Sequence, residues 1–278
     1  MAPVAEQFVG RTAELGLLKK ALVELERGRP GALELAGEPG IGKTRLLAEL
    51  GARADRSGLL VLSGRASELE RDLPFSVFVD ALDEYVQSLE PSRLDALDDE
   101  TRAQLAHVLP SLPSRGSGNG VAPQQERYRA HRAVCRLLEE LAGTQPLVLL
   151  LDDLHWADAG SLELLGSLLR RPPAAAVLTA ITVRPRQLPD RLAVALERAQ
   201  RAGTMTRLEL GALSPDEARQ LLGKDVSGAL YAESGGNPFY LEQLGRWSGR
   251  ATKDTPGAAD VSLAGVQVPR AVAAALAG

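Results

Sequence analysis

The sequence predicts an α/β fold: a three-layer αβα sandwich around a parallel five-stranded sheet, followed by a small helical subdomain. Three observations predict it. Short apolar runs alternate with longer segments of helical period, which is the pattern of a parallel sheet covered by helices. The 278 residues, 45% hydrophobic and 24% charged, suffice for one large domain plus a small one. After the fifth apolar run the chain turns wholly helical.

Taken in order, strands are expected at 32–36, 59–63, 147–152, 176–183 and 206–210. Between them, apolar residues recur at i, i+3 and i+4, as in Leu46, Leu47 and Leu50, or Leu162, Leu165, Leu168 and Leu169. Those stripes should face the sheet. Residues 110–123, PSLPSRGSGNGVAP, are too rich in turn formers to be an element and are expected to form a surface loop. Ser214-Pro215-Asp216-Glu217 supplies an N-cap Ser, Pro at the first helical position and Glu at the third. The expected division is therefore 1–210 for the sandwich, 211–247 for the helical subdomain and 248–278 for a linker and the start of a further domain, because SGRATKDTPGAADVSLAG has linker composition.

Charge and composition exclude several classes. With 32 basic and 36 acidic residues the net charge is -4, which lacks the footprint of a nonspecific nucleic-acid binder. Only five of the basic residues are lysines. A single cysteine, Cys135, excludes an intramolecular disulfide framework and fits a reducing compartment. The start MAPVAEQFVGR is neither basic nor apolar enough for a signal peptide, and no apolar run approaches the roughly 18 residues that span a bilayer. A cytoplasmic protein without membrane partners is expected.

Gly37-Glu38-Pro39-Gly40-Ile41-Gly42-Lys43-Thr44 satisfies G-x-x-x-x-G-K-[ST] between a predicted strand and a predicted helix. Its glycines let main-chain N–H groups curl around phosphate oxygens, Lys43 reaches the outer phosphates and Thr44 ligates Mg2+. Arg45 follows directly and is counted with the nucleotide-binding stretch. Such a loop requires an acid at the end of a neighbouring strand, and the run Leu147-Val148-Leu149-Leu150-Leu151-Asp152-Asp153 supplies it. Asp152 is assigned to the metal side. Asp153, expected on the opposite side of the strand end, is assigned to polarise the attacking water, with helix capping as the competing role. His155 and Trp156 follow, with Trp156 expected to pack beneath the site. His131 and Cys135 share a helix face but have no further ligand, so core packing is expected there rather than a metal.

The stretch LLLDDLHWADAGSLELLGSLL resembles the acidic Walker B segment of STAND-class, AAA+-related ATPases, as in large LuxR-type, MalT-like transcriptional regulators. Phe8-Val9-Gly10-Arg11-Thr12-Ala13-Glu14-Leu15 resembles that family's N-terminal hhGRxxE motif. The resemblance implies nucleotide contact by Gly10 and Arg11, a sensor-1 role for Arg184 at the end of AITVRP, and an adenine-side turn at Gly236-Asn237-Pro238, where Pro238 also suits the first position of a helix capped by Asn237. LGALSPDEARQLL resembles the first helix of its lid.

The implied protein is an ATP-binding, Mg2+-dependent P-loop switch, with Lys43, Asp153 and Arg184 as its catalytic set. A lid would respond to nucleotide state through Arg184 and Pro238, and nucleotide-dependent self-association would accompany it. No arginine finger identifies itself, so turnover should be slow. The family's regulators continue into a winged helix, helical repeats and a DNA-binding helix-turn-helix, and this chain ends about where the winged helix would begin. Two other readings share the motifs: a regulatory or scaffold module with permanently held nucleotide, and an Orc/Cdc6-like DNA-associated ATPase, which predicts a basic DNA face.

Overall fold

The computed structural model describes residues 8–113, 123–223 and 226–254. Among them, five strands form one sheet: β1 (Gly31–Ala36), β2 (Leu60–Arg65), β3 (Leu147–Asp152), β4 (Val177–Val183) and β5 (Met205–Glu209). All neighbours are parallel, in the order β2-β3-β4-β1-β5. The expected α/β architecture with a five-stranded parallel sheet is the one observed, each strand within two residues of its predicted bounds. Because the strands run the same way, their carboxyl ends share one edge, where open parallel sheets place their ligands.

Helices fill the connections. α1 (Thr12–Glu26) precedes β1, and α2 (Lys43–Arg56) follows it. Between β2 and β3 lie α3 (Ser76–Ser88), α4 (Pro91–Leu94), α5 (Asp99–Leu105) and α6 (Pro123–Thr144). α7 (Ala159–Arg170) joins β3 to β4, and α8 (Asp190–Arg201) joins β4 to β5. The remaining helices are α9 (Pro215–Leu222), α10 (Gly228–Ser234) and α11 (Pro238–Asp254).

The described residues divide into two compact units, one within 14–36 and 44–209 and the other within 1–13, 37–43 and 210–278. In the first, β3 shows why a central parallel strand reads as an unbroken apolar run. Leu147, Leu149 and Leu151 belong to the core that also contains Phe78, Leu82, Leu137 and Leu165, while a Cβ on Gly51 of α2 would lie 2.8 Å from Leu150 Cδ1. Both faces of the strand are therefore covered, and each fully buried leucine contributes about 2 kcal/mol. Gly64 of β2 permits the closest helix approach, since a Cβ there would collide with the carbonyl oxygen of Val77 in α3.

The stripe of α7 is buried through Leu164, Leu165, Leu168 and Leu169, with Leu162 only partly buried at its margin. In the second unit, Leu213, Ala218, Leu230 and Leu241 gather α9, α10 and α11 around a small core. The capping box at Ser214 and Glu217 is present, with Pro215 at the first helical position.

α11 is described through Asp254, so the first seven residues of the stretch expected to be a linker, 248–254, are helical. Gly245 and Gly249 are both accommodated inside this helix. Of the expected surface loop, residues 114–122 lie outside the described residues, and Pro123 already begins α6. The rest of the 248–278 assignment, from 255 on, also lies outside them. No helix among the described residues is long and apolar enough to cross a membrane.

Candidate functional site

In the unit that contains the phosphate-loop motif, five consecutive carbonyls accept hydrogen bonds from the protein. Lys43 Nζ donates to Gly37 O and Glu38 O, each at 2.9 Å. Asn237 Nδ2 donates to Pro39 O at 2.9 Å, the Phe239 N–H to Gly40 O at 3.3 Å, and Arg11 Nη2 to Ile41 O at 3.1 Å. A loop whose carbonyls are all engaged by protein donors leaves its concave, amide-lined side to an anion.

Gly40 makes this packing feasible: its φ is +74°, and a Cβ there would lie 2.7 Å from Phe239 Cβ. Asn237 Oδ1 accepts from the Phe239 N–H at 3.1 Å, a cap with Pro238 as the first helical residue. Thus the Gly236-Asn237-Pro238 turn grips the loop through Asn237, and Pro238 pre-sets the helix start.

Arg11 is buried, with only 7% of its surface exposed, in a left-handed conformation (φ 58°) after Gly10 (φ 71°). Besides Ile41 O, its Nη2 donates to Gly211 O at 2.6 Å. Its main-chain N–H donates to Glu217 Oε1 at 2.8 Å. The other Glu217 oxygen accepts from Ser214 N and Ser214 Oγ at 2.8 and 2.9 Å. These contacts, above all the Ser214 N–H and then, against the opposing effect of burial, the Arg11 N–H, hold the Glu217 carboxyl below its ordinary range. The guanidinium assigned to nucleotide contact therefore also ties the loop to Gly211, and the main-chain N–H of the same residue is bonded to α9.

The sheet unit carries the acids. Asp152 ends β3 and is 6% exposed. Its Oδ1 accepts from Thr44 Oγ1 at 3.2 Å, from Thr182 Oγ1 at 2.5 Å and from the Asp153 N–H at 3.0 Å. The register explains two neighbours. Leu151 pairs with Ile181, so Thr182 comes beside Asp152, and Arg65 on β2 pairs with Asp152 directly. Arg65 Nε lies 3.7 Å from Asp152 Oδ2. Hydroxyl and carboxylate oxygens are the donors that a hard divalent cation takes, and Mg2+ uses few protein ligands beside water and phosphate. Thr44 and Asp152 thus fit Mg2+, although no cluster of three or more His, Cys, Asp or Glu exists among the described residues.

Asp153 departs from expectation in its backbone. The strand ends at Asp152, and Asp153 turns to φ 55° at the head of a short 3-10 turn, so strand alternation does not set its direction. Arg65 sets it: Nη2 and Nε donate to Asp153 Oδ2 at 2.6 and 3.0 Å, which raises the arginine's pKa. Arg184 follows β4, with Nη1 3.4 Å from Gln187 Oε1 and its Nε buried without a hydrogen-bond partner among the described residues. Trp156 is half-buried beneath Arg71, whose guanidinium lies 4.9 Å from its ring.

Sequence reasoning missed Arg65, Thr182 and Asp158. Asp158 is buried and caps α7 through the Ser161 N–H at 2.9 Å and Ser161 Oγ. Its carboxylate also accepts from Phe75 N, Ser76 N and Ser76 Oγ at 2.9, 3.1 and 3.3 Å. It thereby fixes Phe75, at φ 63°, ahead of α3. The only available signal was the pattern Asp-x-x-Ser before an apolar run, an N-cap signature.

The family described as AAA ATPase domain matches residues 7–181, more than half of the chain. An uncharacterized protein of Rhizobium meliloti (strain 1021) is 28% identical over 268 residues, covering 86% of this chain and 25% of its own length. The chain thus spans about a quarter of that relative. Among solved structures, AMPPCP-bound DnaA from Aquifex aeolicus is similar at 15% identity and a TM-score of 0.46, over 91% of this chain and 65% of that one. A replication initiator DnaA bound to AMPPCP and single-stranded DNA gives 14%, 0.49, 90% and 67%. A RuvB variant of Thermotoga maritima gives 18%, 0.42, 86% and 61%.

Proposed function

From the premise that this chain belongs to the AAA ATPase domain family, we propose that it is an ATP-binding, slowly hydrolysing switch module of a signal-transduction protein. The observation that carries the reading is the phosphate loop, whose five carbonyls from Gly37 to Ile41 are all taken by protein donors. Residues 37–44 hold the triphosphate, joined by Arg45, by Arg11 through its bond to Ile41 O, and by Gly10 and Pro238, which shape the backbone next to Arg11 and Asn237. Thr44 and Asp152 support Mg2+, which supplies charge neutralisation on the phosphates. Asp153 orients the attacking water, and Arg184 senses the outer phosphate.

The pairing of Asp153 with Arg65 at 2.6 Å supports slow turnover, because the carboxylate oxygen engaged by the guanidinium is not free to orient a water. Its limit is a second reading, a regulatory module that retains nucleotide without turnover. Placement in a cytoplasmic LuxR-type, STAND-class regulator, with self-association and a downstream DNA-binding or effector domain, rests on the motif resemblance. The division at 210 and 247 rests on the sequence pattern.

An Asp153→Asn variant tests the role directly. ATP affinity should stay within about threefold and the hydrolysis rate should fall about 100-fold or more. Equal turnover removes Asp153 from the assigned role, and the absence of any phosphate release from the unaltered chain favours the second reading.

A further inference from the structure

Away from the phosphate loop, three helices of the sheet unit line an open cavity of about 600 Å³, within the range of small-molecule sites. α6 contributes Arg127, Tyr128 and His131 to its lining. α7 contributes Glu163, Ser167 and Arg170, with Arg171 immediately after it, and Arg191 comes from the first turn of α8. Four guanidinium groups thus face a single carboxylate.

That carboxylate is shared. Glu163 lies 3.5 Å from Arg191 Nη1 and 3.9 Å from Arg127 Nη1. Arg171 Nη1 donates to Tyr128 Oη at 2.6 Å and lies over its ring at 5.9 Å. Arg170 has no hydrogen-bond or ion-pair partner among the described residues, so the lining retains positive charge that its own groups do not neutralise. The nine residues 114–122 ahead of α6 include no carboxylate to supply it.

His131 is the second, independent observation. It is 92% buried (8% exposed), edge-on to Phe75 at 6.2 Å, and its Nε2 has no hydrogen-bond partner among the described residues. A buried polar atom left unpaired costs about 1–3 kcal/mol, and His131 is among the residues that line the cavity.

We propose that this cavity binds a small phosphorylated ligand, its phosphate oxygens paired with Arg170 and Arg171 and hydrogen-bonded to His131 Nε2. Planar guanidinium forks match phosphate geometry in pairs, and a dianion offsets the surplus charge that one carboxylate leaves. Burial lowers the His131 pKa, Glu163 opposes the shift, and Arg170 and Arg127 add to it. A bound phosphate reverses the balance, so the imidazole gains proton affinity on binding.

The test is histidine-selective NMR of the full chain, with ADP and Mg2+ present at saturation to occupy the phosphate loop. Inorganic phosphate is titrated at constant ionic strength, with chloride as the control. Only three histidines report: His107, His131 and His155. The expected result is a saturable shift of His131 with phosphate and not with chloride, weakened at least tenfold in an Arg170→Gln variant. Arg191→Gln, at a side chain 90% exposed, is the second variant if the first fails to fold, and should weaken binding about threefold. No saturable shift of His131, an equal shift with chloride, or a shift that both variants leave undiminished overturns the proposal. Saturation by phosphate alone, with a phosphomonoester such as glycerol phosphate excluded, overturns the assignment to a phosphorylated small molecule.

Discussion

The phosphate loop and the carboxyl edge of the sheet are positioned by opposite means. In the loop, main-chain carbonyls are held by donors from far along the chain, Arg11 and Asn237 among them. At the sheet edge, aspartate side chains are held by strand register and by hydroxyl and guanidinium groups on neighbouring strands. The loop is a backbone device that depends on what grips it, whereas the edge is a side-chain device that depends on the core beneath. Perturbation should follow that difference: changes at the edge disturb folding or chemistry, and changes at the grip disturb affinity.

Asp158→Ala carries the largest stability effect. It leaves the Phe75, Ser76 and Ser161 N–H groups without their shared acceptor, which costs about 3 kcal/mol. Denaturant unfolding reads the loss, and a change below about 0.5 kcal/mol breaks the claim that Asp158 latches α3 to α7. Gly40→Ala follows. The added methyl meets Phe239 at 2.7 Å in a left-handed conformation, so ATP affinity should drop about tenfold, with stability reduced by about 1–2 kcal/mol. Calorimetric titration separates the two, and unchanged affinity dissociates the grip from ligand binding.

The smallest effect is acid sensitivity of the grip. Because the Glu217 carboxyl is held below its ordinary range, its contribution is fully present above the unfolded value of about 4.3 and disappears as pH falls through the lowered folded value. Amide exchange of α9 should accelerate in that acid window, and Glu217→Gln should flatten the dependence. An identical pH profile in the variant removes Glu217 from the account.

What the sequence disclosed follows the same division. The strands, the capping box at Ser214 and the motif at 37–44 are local patterns, readable because apolar runs, cap chemistry and glycine spacing act over a few residues. Arg65 and Thr182 were not legible, since their importance comes from the register that pairs β2 with β3 and β3 with β4. Asp153 was misdirected for a related reason: alternation was extended one residue past the strand, where φ becomes positive. His131 was expected in the core because no further metal ligand accompanies it and Cys135, and sequence does not show that α7 and α8 leave a charged cavity beside it.

The central claim is that the loop 37–44 holds a magnesium-bound triphosphate. Calorimetric titration of MgATP into the unaltered chain and into a Lys43→Ala variant of matched thermal stability tests it most directly. The account predicts one saturable site in the first and affinity weakened about 100-fold in the second. Equal affinity in the two proteins, or no saturable binding to the unaltered chain, contradicts it.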